Sequence, residues 1–473
     1  CAQLKNLFSK PLSRLRQLGL GVPSGLEIAY KTIELSIQRL LDEAGSDLEQ
    51  RPIALQYDLK SAYNRVNRSK MMQQCLNRFP EMARILNLLY GSAGTLYFVS
   101  GGVSVESFKC NEGVLQGCPL GLHGLCLAMW DFFADLNRQT ARHNASNVWI
   151  ADDLTLVVPR MHAEPLIDWI KTNLPVYNME ISPGKLHAYM PGIPQSSCSD
   201  MLRCNGFKVN SGGLHRLLGA PIGNRDFMTK SAYDGGHLAL MTNDAVRYIR
   251  MLSQIQHVQA RYHLLRWSAA SLLLHLGRLI QPNILSAYAL QFSAAMEEAV
   301  KFMLAANILT PLQLRQIRLS ARHSGLALGG PLDTGTQAYV ASSGVAARFY
   351  DTIGTWHDKA KLKQQLAKQP AGIAAASIIN DELRKTRRGS KKLLNPNSPI
   401  FWPEQSTLSG ILQSQAADEL EQELTKEDTL AASWFASGRG PGGSSWLTAI
   451  PSLPCFRVSS QCFQTMLCMK LLS

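Results

Sequence analysis

The sequence lacks the patterns that mark several common classes of protein. Its 10 cysteines are scattered singly and no C-x2-C pair occurs, so the usual zinc-binding spacings are absent. No G-x-x-x-x-G-K-[ST] loop occurs, which argues against an ATPase of the P-loop type. The most apolar stretch, "WSAASLLLHLGRLIQPNILSAYALQF", is interrupted by His275, Arg278 and Pro282, so we expect no membrane span.

Acidic residues are also in deficit. The chain has 35 Asp and Glu against 48 Lys and Arg, which gives a formal net charge of +13 and a sequence pI near 9.3. A basic surface favours a polyanionic partner such as a nucleic acid. The 473 residues are enough for two or three domains. The chain begins with Cys1 and ends in mid-pattern, so we expect a fragment of a longer protein.

Strand and helix patterns alternate through about residue 224. Apolar residues at helical spacing predict a helix over 26–43, and "PIALQY" at 52–57 predicts a buried strand that ends at Asp58. We further expect a helical region over 68–91, two short strands "TLYFVS" and "VSVESF", and a helix that begins at Pro119. A strand hairpin around Asp152 and Asp153, the helix "HAEPLIDWIKTNL", and a second hairpin near "GFKVNSGGLHRLLGAPIG" follow.

The rest of the sequence is mainly helical in pattern. Residues 225–320 predict a separate all-α domain. Beyond it, the basic segment "RKTRRGSKK" at 384–392 reads either as a solvated linker or as a segment that binds phosphates. An acidic amphipathic helix is predicted over 411–428.

Three carboxylates carry the strongest chemical signal. Asp58 stands at the end of the buried strand, and Asp152 and Asp153 stand at the turn of the hairpin. A strand end and a neighbouring hairpin can meet at one edge of a sheet, where three carboxylates repel one another unless cations lie between them. Two Mg²⁺ ions about 3.5–4 Å apart would there hold the attacking and leaving oxygens of a phosphoryl transfer.

Two further segments lie in an order that suits this chemistry. "EGVLQGCPLG" at 112–121 places Gly113, Gln116 and Gly117 in a tight turn, which can come close to a base or sugar. Lys185 follows a turn and is a candidate proton donor to a leaving pyrophosphate.

Taken together, these motifs resemble the palm of reverse transcriptases, most closely those of non-LTR (LINE-type) retrotransposons. "YDLKSAYNRVNR", "GVLQGCPLG" and "IADDLTL" are similar to three successive palm motifs of that family. Lys185 and "LLGAPIG" fall where the next two motifs should lie, and "RQLGLGVPSGLEIAYKTI" is similar to the finger segment that precedes the palm.

The resemblance implies a role for each matching residue. Asp58, Asp152 and Asp153 would be catalytic and would bind two Mg²⁺ ions, with Mn²⁺ as the alternative. Tyr63 would lie under the sugar and block a 2′-hydroxyl, and Lys185 would assist the departure of pyrophosphate. Gln116 and Gly117 would line the substrate-binding pocket.

Two positions add detail to the resemblance. RNA-copying RNA polymerases usually carry a second Asp where this chain has Tyr63, so the aromatic ring favours dNTPs. Ile150 stands where the family usually has Tyr or Phe, and we expect this departure to alter the rate or fidelity without removing the metals. The early finger strands, whose basic residues grip the triphosphate, are expected before residue 1.

We therefore expect an α+β fold: a right-hand polymerase palm with partial fingers, an all-α thumb and a mainly helical C-terminal extension. The expected boundaries are 1–224 for fingers and palm, 225–345 for the thumb and connection, and 346–473 for the extension. The expected partners are an RNA template, a DNA primer and dNTPs, with no membrane, and the resemblance implies a nuclear protein. The open alternatives are a catalytically silent retroelement fragment that only binds nucleic acid, and an RNA-templated RNA polymerase or maturase-like palm.

Overall fold

The structure is a computed structural model that describes residues 2–193, 200–231, 233–385, 393–440, 443–448 and 458–471. The chain forms two compact units. Unit 1 comprises residues 1–218, 222–224 and 348–365, and unit 2 comprises residues 219–221, 225–347 and 366–473. The three-part division expected from the sequence stays a prediction.

Unit 1 is built around a five-stranded sheet. The strands of the chain are β1 (Pro52–Asp58), β2 (Gly94–Ser100), β3 (Val103–Cys110), β4 (Ser146–Ile150), β5 (Asp153–Pro159), β6 (His187–Tyr189), β7 (Lys208–Asn210), β8 (Gly213–Leu217) and β9 (Ala220–Gly223). The main sheet has the order β4-β5-β1-β6-β7, antiparallel except for β6 and β7, which run parallel. β1 lies in the middle, which explains its continuous apolar run and confirms the predicted buried strand.

Helices cover the apolar side chains of this sheet. The helices that belong wholly to unit 1 are α1 (Ala2–Arg14), α2 (Gly25–Ala44), α3 (Arg68–Arg78), α4 (Ala83–Tyr90), α5 (Gly121–Ala128), α6 (Trp130–Arg142), α7 (Ala163–Asn173) and α8 (Asp200–Cys204). α2 confirms the helix predicted over 26–43 and packs against β1, β4 and β5. The main core of the unit includes Leu55, Phe132, Trp149 and Leu156.

Two local expectations need correction. The helix expected from Pro119 begins at Gly121, because Leu115 to Gly121 form a turn before it. The helical stretch is also divided at Met129 into α5 and α6. The second hairpin consists of β8 and β9, whereas Lys208–Asn210 pairs with β6 in the main sheet. The strands expected at "TLYFVS" and "VSVESF" are confirmed as the antiparallel pair β2–β3.

The regular secondary structure described in unit 2 is helical, apart from Ala220 and Pro221, which belong to β9. Helices α9 to α20 are Arg225–Met228, His237–Ser253, Val258–Trp267, Leu274–Leu279, Pro282–Leu304, Pro311–Arg318, Pro331–Thr352, Lys359–Lys368, Pro370–Arg384, Gln405–Glu427, Thr429–Arg439 and Ser460–Leu471, of which α15 and α16 extend into the 348–365 segment of unit 1. This confirms the helical character predicted for 225–320 and for the acidic stretch 411–428.

Of the basic segment at 384–392, residues 386–392 lie outside the described part of the chain. Among the described helices, none combines the length and the apolar character needed to cross a bilayer.

The fold class expected from the sequence is confirmed. The chain has a mixed α+β fold with a helical C-terminal region. In unit 1, the central strand β1 and the hairpin β4–β5 place their polar ends at the same edge of the sheet.

Candidate active site

The three aspartates lie together at one edge of the main sheet. Asp58 is the last residue of β1 and stands directly opposite Asp153, the first residue of β5. Ile150 pairs with Asp153, so Ala151 and Asp152 form the two-residue tip of the β4–β5 hairpin. Strand register therefore brings Asp58, Asp152 and Asp153 to one place, although 94 residues separate the first from the second in the sequence.

The surroundings of the hairpin carboxylates disfavour their negative charge. Burial raises the pKa of Asp152, and the charge of Asp58 raises it further against a hydrogen bond from its own backbone. Burial also raises the pKa of Asp153 to about 6, with Asp152 and Asp58 adding to the effect. Lys185 opposes both shifts and Arg216 opposes that of Asp153, but neither cancels the shift. Burial, with help from the neighbouring carboxylates, therefore makes the charged forms of Asp152 and Asp153 unfavourable, and the nearby protein cations do not offset this fully.

The carboxylate of Asp58 is held by two neighbours. Ser182 Oγ donates to Asp58 Oδ2 at 2.5 Å, and Lys185 Nζ lies 3.1 Å from the same oxygen. The backbone N–H of Ser182 also donates to the Asp58 carbonyl at 2.8 Å. The structure therefore brings Lys185 to the carboxylates, as the sequence predicts. It adds Ser182, a buried residue that we did not single out and whose only signal is its place three positions before Lys185.

The donor atoms of this site suit a magnesium ion in type and charge. Mg²⁺ takes hard oxygen ligands from a few carboxylates, and the three neighbouring carboxylates offer such ligands. Among the described residues, however, no group of three or more His, Cys, Asp or Glu side chains is arranged as a finished metal cluster. At Asp58, both carboxylate oxygens contact Lys185 and one also accepts from Ser182.

Tyr63 lies beside the carboxylates on a 3-10 turn (Ala62–Arg65) that follows β1. Its side chain is half-buried, and its pKa is raised first by burial and then by the negative charge of Asp152. The loop of residues 112–121, which contains Gly113 and Gly117, is joined to the same turn by two hydrogen bonds. Val114 N–H donates to the Tyr63 carbonyl at 2.7 Å, and Gly113 N–H donates to the Val66 carbonyl at 3.0 Å. Tyr63 and this loop therefore form one wall next to Asp152.

Gln116 and Gly117 lie on the exposed part of that loop. The backbone hydrogen bonds of Gly113 and Val114 join this loop to the Tyr63 turn rather than to the carboxylates. Gly117 has φ of +84° with open space where a side chain would lie, so its backbone is accessible to a substrate. Ile150 is half-buried at the end of β4, opposite Asp153.

Comparison with protein families agrees with this geometry. The model of the family "Reverse transcriptase (RNA-dependent DNA polymerase)" matches residues 4–248. The match covers more than half of the chain and includes every predicted site residue. The chain therefore belongs to the reverse transcriptase family, which is a family of nucleotidyltransferase-type polymerases.

Two solved structures illustrate the structural similarity. One is a telomerase from Candida tropicalis in complex with a TWJ fragment of telomeric RNA, with 11% identity, a TM-score of 0.36, and coverage of 72% of this chain and 52% of that chain. The other is a telomerase from Candida albicans in complex with the same kind of fragment, with 13% identity, a TM-score of 0.33, and coverage of 83% and 59%. The chain therefore spans between half and three fifths of the length of these two chains. No curated protein sequence matches it.

Proposed function

We propose that this chain is the polymerase part of a non-LTR retrotransposon protein, which copies RNA by adding deoxynucleotides to a primer 3′-hydroxyl. The observation that supports the proposal most directly is the meeting of Asp58, Asp152 and Asp153 at one sheet edge in a chain of the reverse transcriptase family. The motifs around these residues favour the non-LTR type. The expected partners are an RNA template, a DNA primer and dNTPs.

In this proposal, Asp58 and Asp152 hold two Mg²⁺ ions and Asp153 supports them. When bound, the ions would supply Lewis-acid stabilisation of the attacking and leaving oxygens. Burial is the main cause of the raised pKa values of Asp152 and Asp153, and the neighbouring carboxylates add to it. A cation bound beside them would stabilise their charged forms, so the site favours cation binding. Binding through Asp58 requires that its carboxylate exchange the ammonium group of Lys185 for the cation.

Other side chains of the site bind and orient the nucleotide. Lys185, whose side chain is 66% exposed, is free to leave Asp58 and to donate a proton or a hydrogen bond to pyrophosphate. The ring of Tyr63 excludes a 2′-hydroxyl, and Gln116 with the Gly117 backbone contacts the base or sugar. Along the chain, we propose that 1–224 supplies partial fingers and palm, 225–345 the thumb and connection, and 346–473 an extension.

Primer extension on an RNA template tests the proposal. Wild-type protein and the Asp152→Asn variant receive Mg²⁺ and either dNTPs or rNTPs. Extension with dNTPs that Asp152→Asn abolishes would support the proposed reaction and its site. Extension with rNTPs would instead favour an RNA-templated RNA polymerase and contradict the role of Tyr63.

A second candidate is a catalytically silent fragment that binds nucleic acid. The ion pair between Asp58 and Lys185, which occupies a carboxylate that cation binding would need, is the observation that favours it. Binding of an RNA–DNA hybrid, measured by fluorescence anisotropy in the same samples, separates the two candidates. Tight hybrid binding without extension by either nucleotide set would overturn the polymerase proposal in favour of the silent fragment.

A further inference from the structure

The hairpin tip that carries Asp152 has an unusual backbone. Ala151, the residue directly before Asp152, has φ of +55°. This left-handed region disfavours any residue with a Cβ by roughly 1–2 kcal/mol, and glycine is the usual choice there. The surroundings must therefore hold Ala151 in place, and any loss of that support would let the tip and its carboxylates rotate.

A single buried side chain provides this support. Gln17 is 0% exposed, and its amide group bonds both backbone groups of Ala151. Gln17 Nε2 donates to the Ala151 carbonyl at 2.8 Å, and Gln17 Oε1 accepts from Ala151 N–H at 3.1 Å. The same oxygen accepts from Gly19 N–H at 2.9 Å. An amide is needed here, since only an amide presents a donor and an acceptor side by side.

The backbone on either side of Gln17 fixes where this amide can reach. Residues 16–18 run parallel to the end of β4, with Trp149 N–H donating to the Arg16 carbonyl at 2.9 Å and Leu18 N–H donating to the Trp149 carbonyl at 2.8 Å. A Cβ on Gly19 would lie 2.6 Å from the Ala151 nitrogen, so the chain also passes the tip at the closest approach that glycine permits. The segment before α2 and the hairpin are thus locked together in register.

We propose that Gln17 is a positioning residue for the reaction: its amide holds the Ala151 backbone and thereby aims Asp152 and Asp153 at the bound cations. The inference rests on the proposed function, in that it assigns these aspartates to cation binding. Gln17 contacts neither nucleotide nor cation in this proposal and acts through Ala151. Residues that orient metal ligands in this way typically change metal affinity or activity by 10–100-fold when they are replaced.

The test compares Gln17→Met with a matched variant in the neighbouring strand β4. Met keeps the length and removes the amide. Asn147→Leu is the control, because Asn147 is also 0% exposed and lies on β4, but its side-chain oxygen accepts from Thr140 Oγ1, whereas that of Gln17 bonds to Ala151. Mn²⁺ binding to the full chain without nucleic acid is measured by electron paramagnetic resonance. Thermal unfolding and primer extension are followed in parallel.

We expect Gln17→Met to weaken Mn²⁺ binding by about tenfold and to lower kcat by a similar factor, with the KM for dNTPs changed less than twofold. Asn147→Leu should lower the unfolding temperature but leave Mn²⁺ binding within twofold of wild type. If Gln17→Met binds Mn²⁺ as wild type does, or if Asn147→Leu weakens binding equally, the proposal is wrong. Should Gln17→Met not fold, Gln17→Asn is read in the same way, since its amide is one methylene too short to reach both groups of Ala151.

The two proposals fail in different ways. Wild-type protein that binds Mn²⁺ in a manner lost in Asp152→Asn, yet extends no primer, would contradict the polymerase function. The role of Gln17 in aligning Asp152 and Asp153 for cation binding would then still be decided by the Mn²⁺ measurements. Wild-type protein that binds no Mn²⁺ would overturn the role of Gln17, because there would be no cation for the aspartates to meet.

Discussion

Tyr63 is the side chain that we expect to distinguish deoxyribonucleotides from ribonucleotides. Its ring lies near Asp152 and 3.7 Å from the position that a Cβ on Gly121 would take. We predict that Tyr63→Val raises the ratio of kcat/KM for rNTPs to that for dNTPs by about tenfold or more, because a smaller side chain leaves room for the 2′-hydroxyl. Single-nucleotide incorporation assays measure this ratio.

Tyr63→Phe is the matched control for this prediction. It keeps the ring and removes only the phenolic hydroxyl, so the preference for dNTPs should remain. An unchanged preference in Tyr63→Val, with normal dNTP incorporation, would contradict a steric role for the ring.

Lys185 interacts with all three aspartates, which makes its replacement informative. It pairs with Asp58, and its charge lowers the pKa values of Asp152 and Asp153 against the dominant effect of burial. We predict that Lys185→Met lowers kcat by about 10²-fold, since both proton donation and charge balance are lost. Lys185→Arg, which keeps the charge, should retain more of the rate than Lys185→Met. Equal rates in wild type and Lys185→Met under single-turnover conditions would exclude a role for Lys185 in the reaction.

The predictable part of the site is the part that local pattern encodes. Asp58 and the Asp152–Asp153 pair were found because each follows or divides a run of strand-forming residues. Gln17 and Ser182 were not found as site residues. Their importance comes from hydrogen bonds to residues 134 and 124 positions away in the chain, and no local periodicity carries that information.

At the scale of the elements, the loop before α5 depends on one glycine. Gly113 has φ of +72°, and a Cβ there would lie 2.3 Å from the Asn64 carbonyl oxygen. Because backbone atoms cannot move aside without breaking the turn that carries Tyr63, we predict that Gly113→Ala lowers the free energy of unfolding by more than about 2 kcal/mol. Urea denaturation followed by circular dichroism measures the change.

Gly101 offers a control for the backbone conformation alone. Its φ is +58°, but a Cβ there would meet nothing within 4 Å. Gly101→Ala should therefore cost only the roughly 1–2 kcal/mol of left-handed strain. If the two substitutions cost the same, the close approach of the loop to Asn64 would not matter to stability.

Most elements of unit 1 were predictable, and the exceptions have identifiable causes. The strand β1 and the helix α2 are long, with clear apolar periodicity, and both were predicted within one or two residues. β7 has only three residues, so it carries too short a pattern to show that it joins the main sheet in parallel. The start of α5 was misplaced because Pro119, a residue typical of helix starts, lies instead in the turn before the helix.

At the scale of the whole molecule, residues far apart in the sequence complete unit 1. The segment 348–365 belongs to this unit, and Asp358 within it forms a buried ion pair with Arg16. Ser146 also donates to Asp358, and the Arg16 guanidinium lies 4.2 Å from the centre of the Trp356 ring. Composition and pattern alone cannot predict this pairing, since 342 positions separate the two charges.

This pairing makes the stability of unit 1 sensitive to acid. Burial alone would raise the pKa of Asp358, but the charges of Arg16 and His357 and the Ser146 hydrogen bond outweigh it and lower the pKa below its usual value. As the pH falls, Asp358 therefore gains its proton in the unfolded chain before it does so in the folded one. The stabilisation by the ionised Asp358 is fully present above the ordinary aspartate pKa of 3.8 and is lost as the pH falls below that value. We predict that Asp358→Asn lowers the free energy of unfolding by about 3 kcal/mol at neutral pH, because Arg16 is left buried without a counter-charge.

The pH dependence separates this ion pair from a general loss of packing. The difference in unfolding free energy between wild type and Asp358→Asn should shrink as the pH falls below about 4, since Asp358 of the wild type then gains a proton, first in the unfolded chain and at lower pH in the folded one. Asp351→Asn is the matched control, because Asp351 pairs with Lys363 at the surface, where such pairs contribute about 0–1 kcal/mol. A difference between wild type and Asp358→Asn that stays constant from neutral pH to pH 3 would mean that shape, and not charge, joins the 348–365 segment to the rest of unit 1.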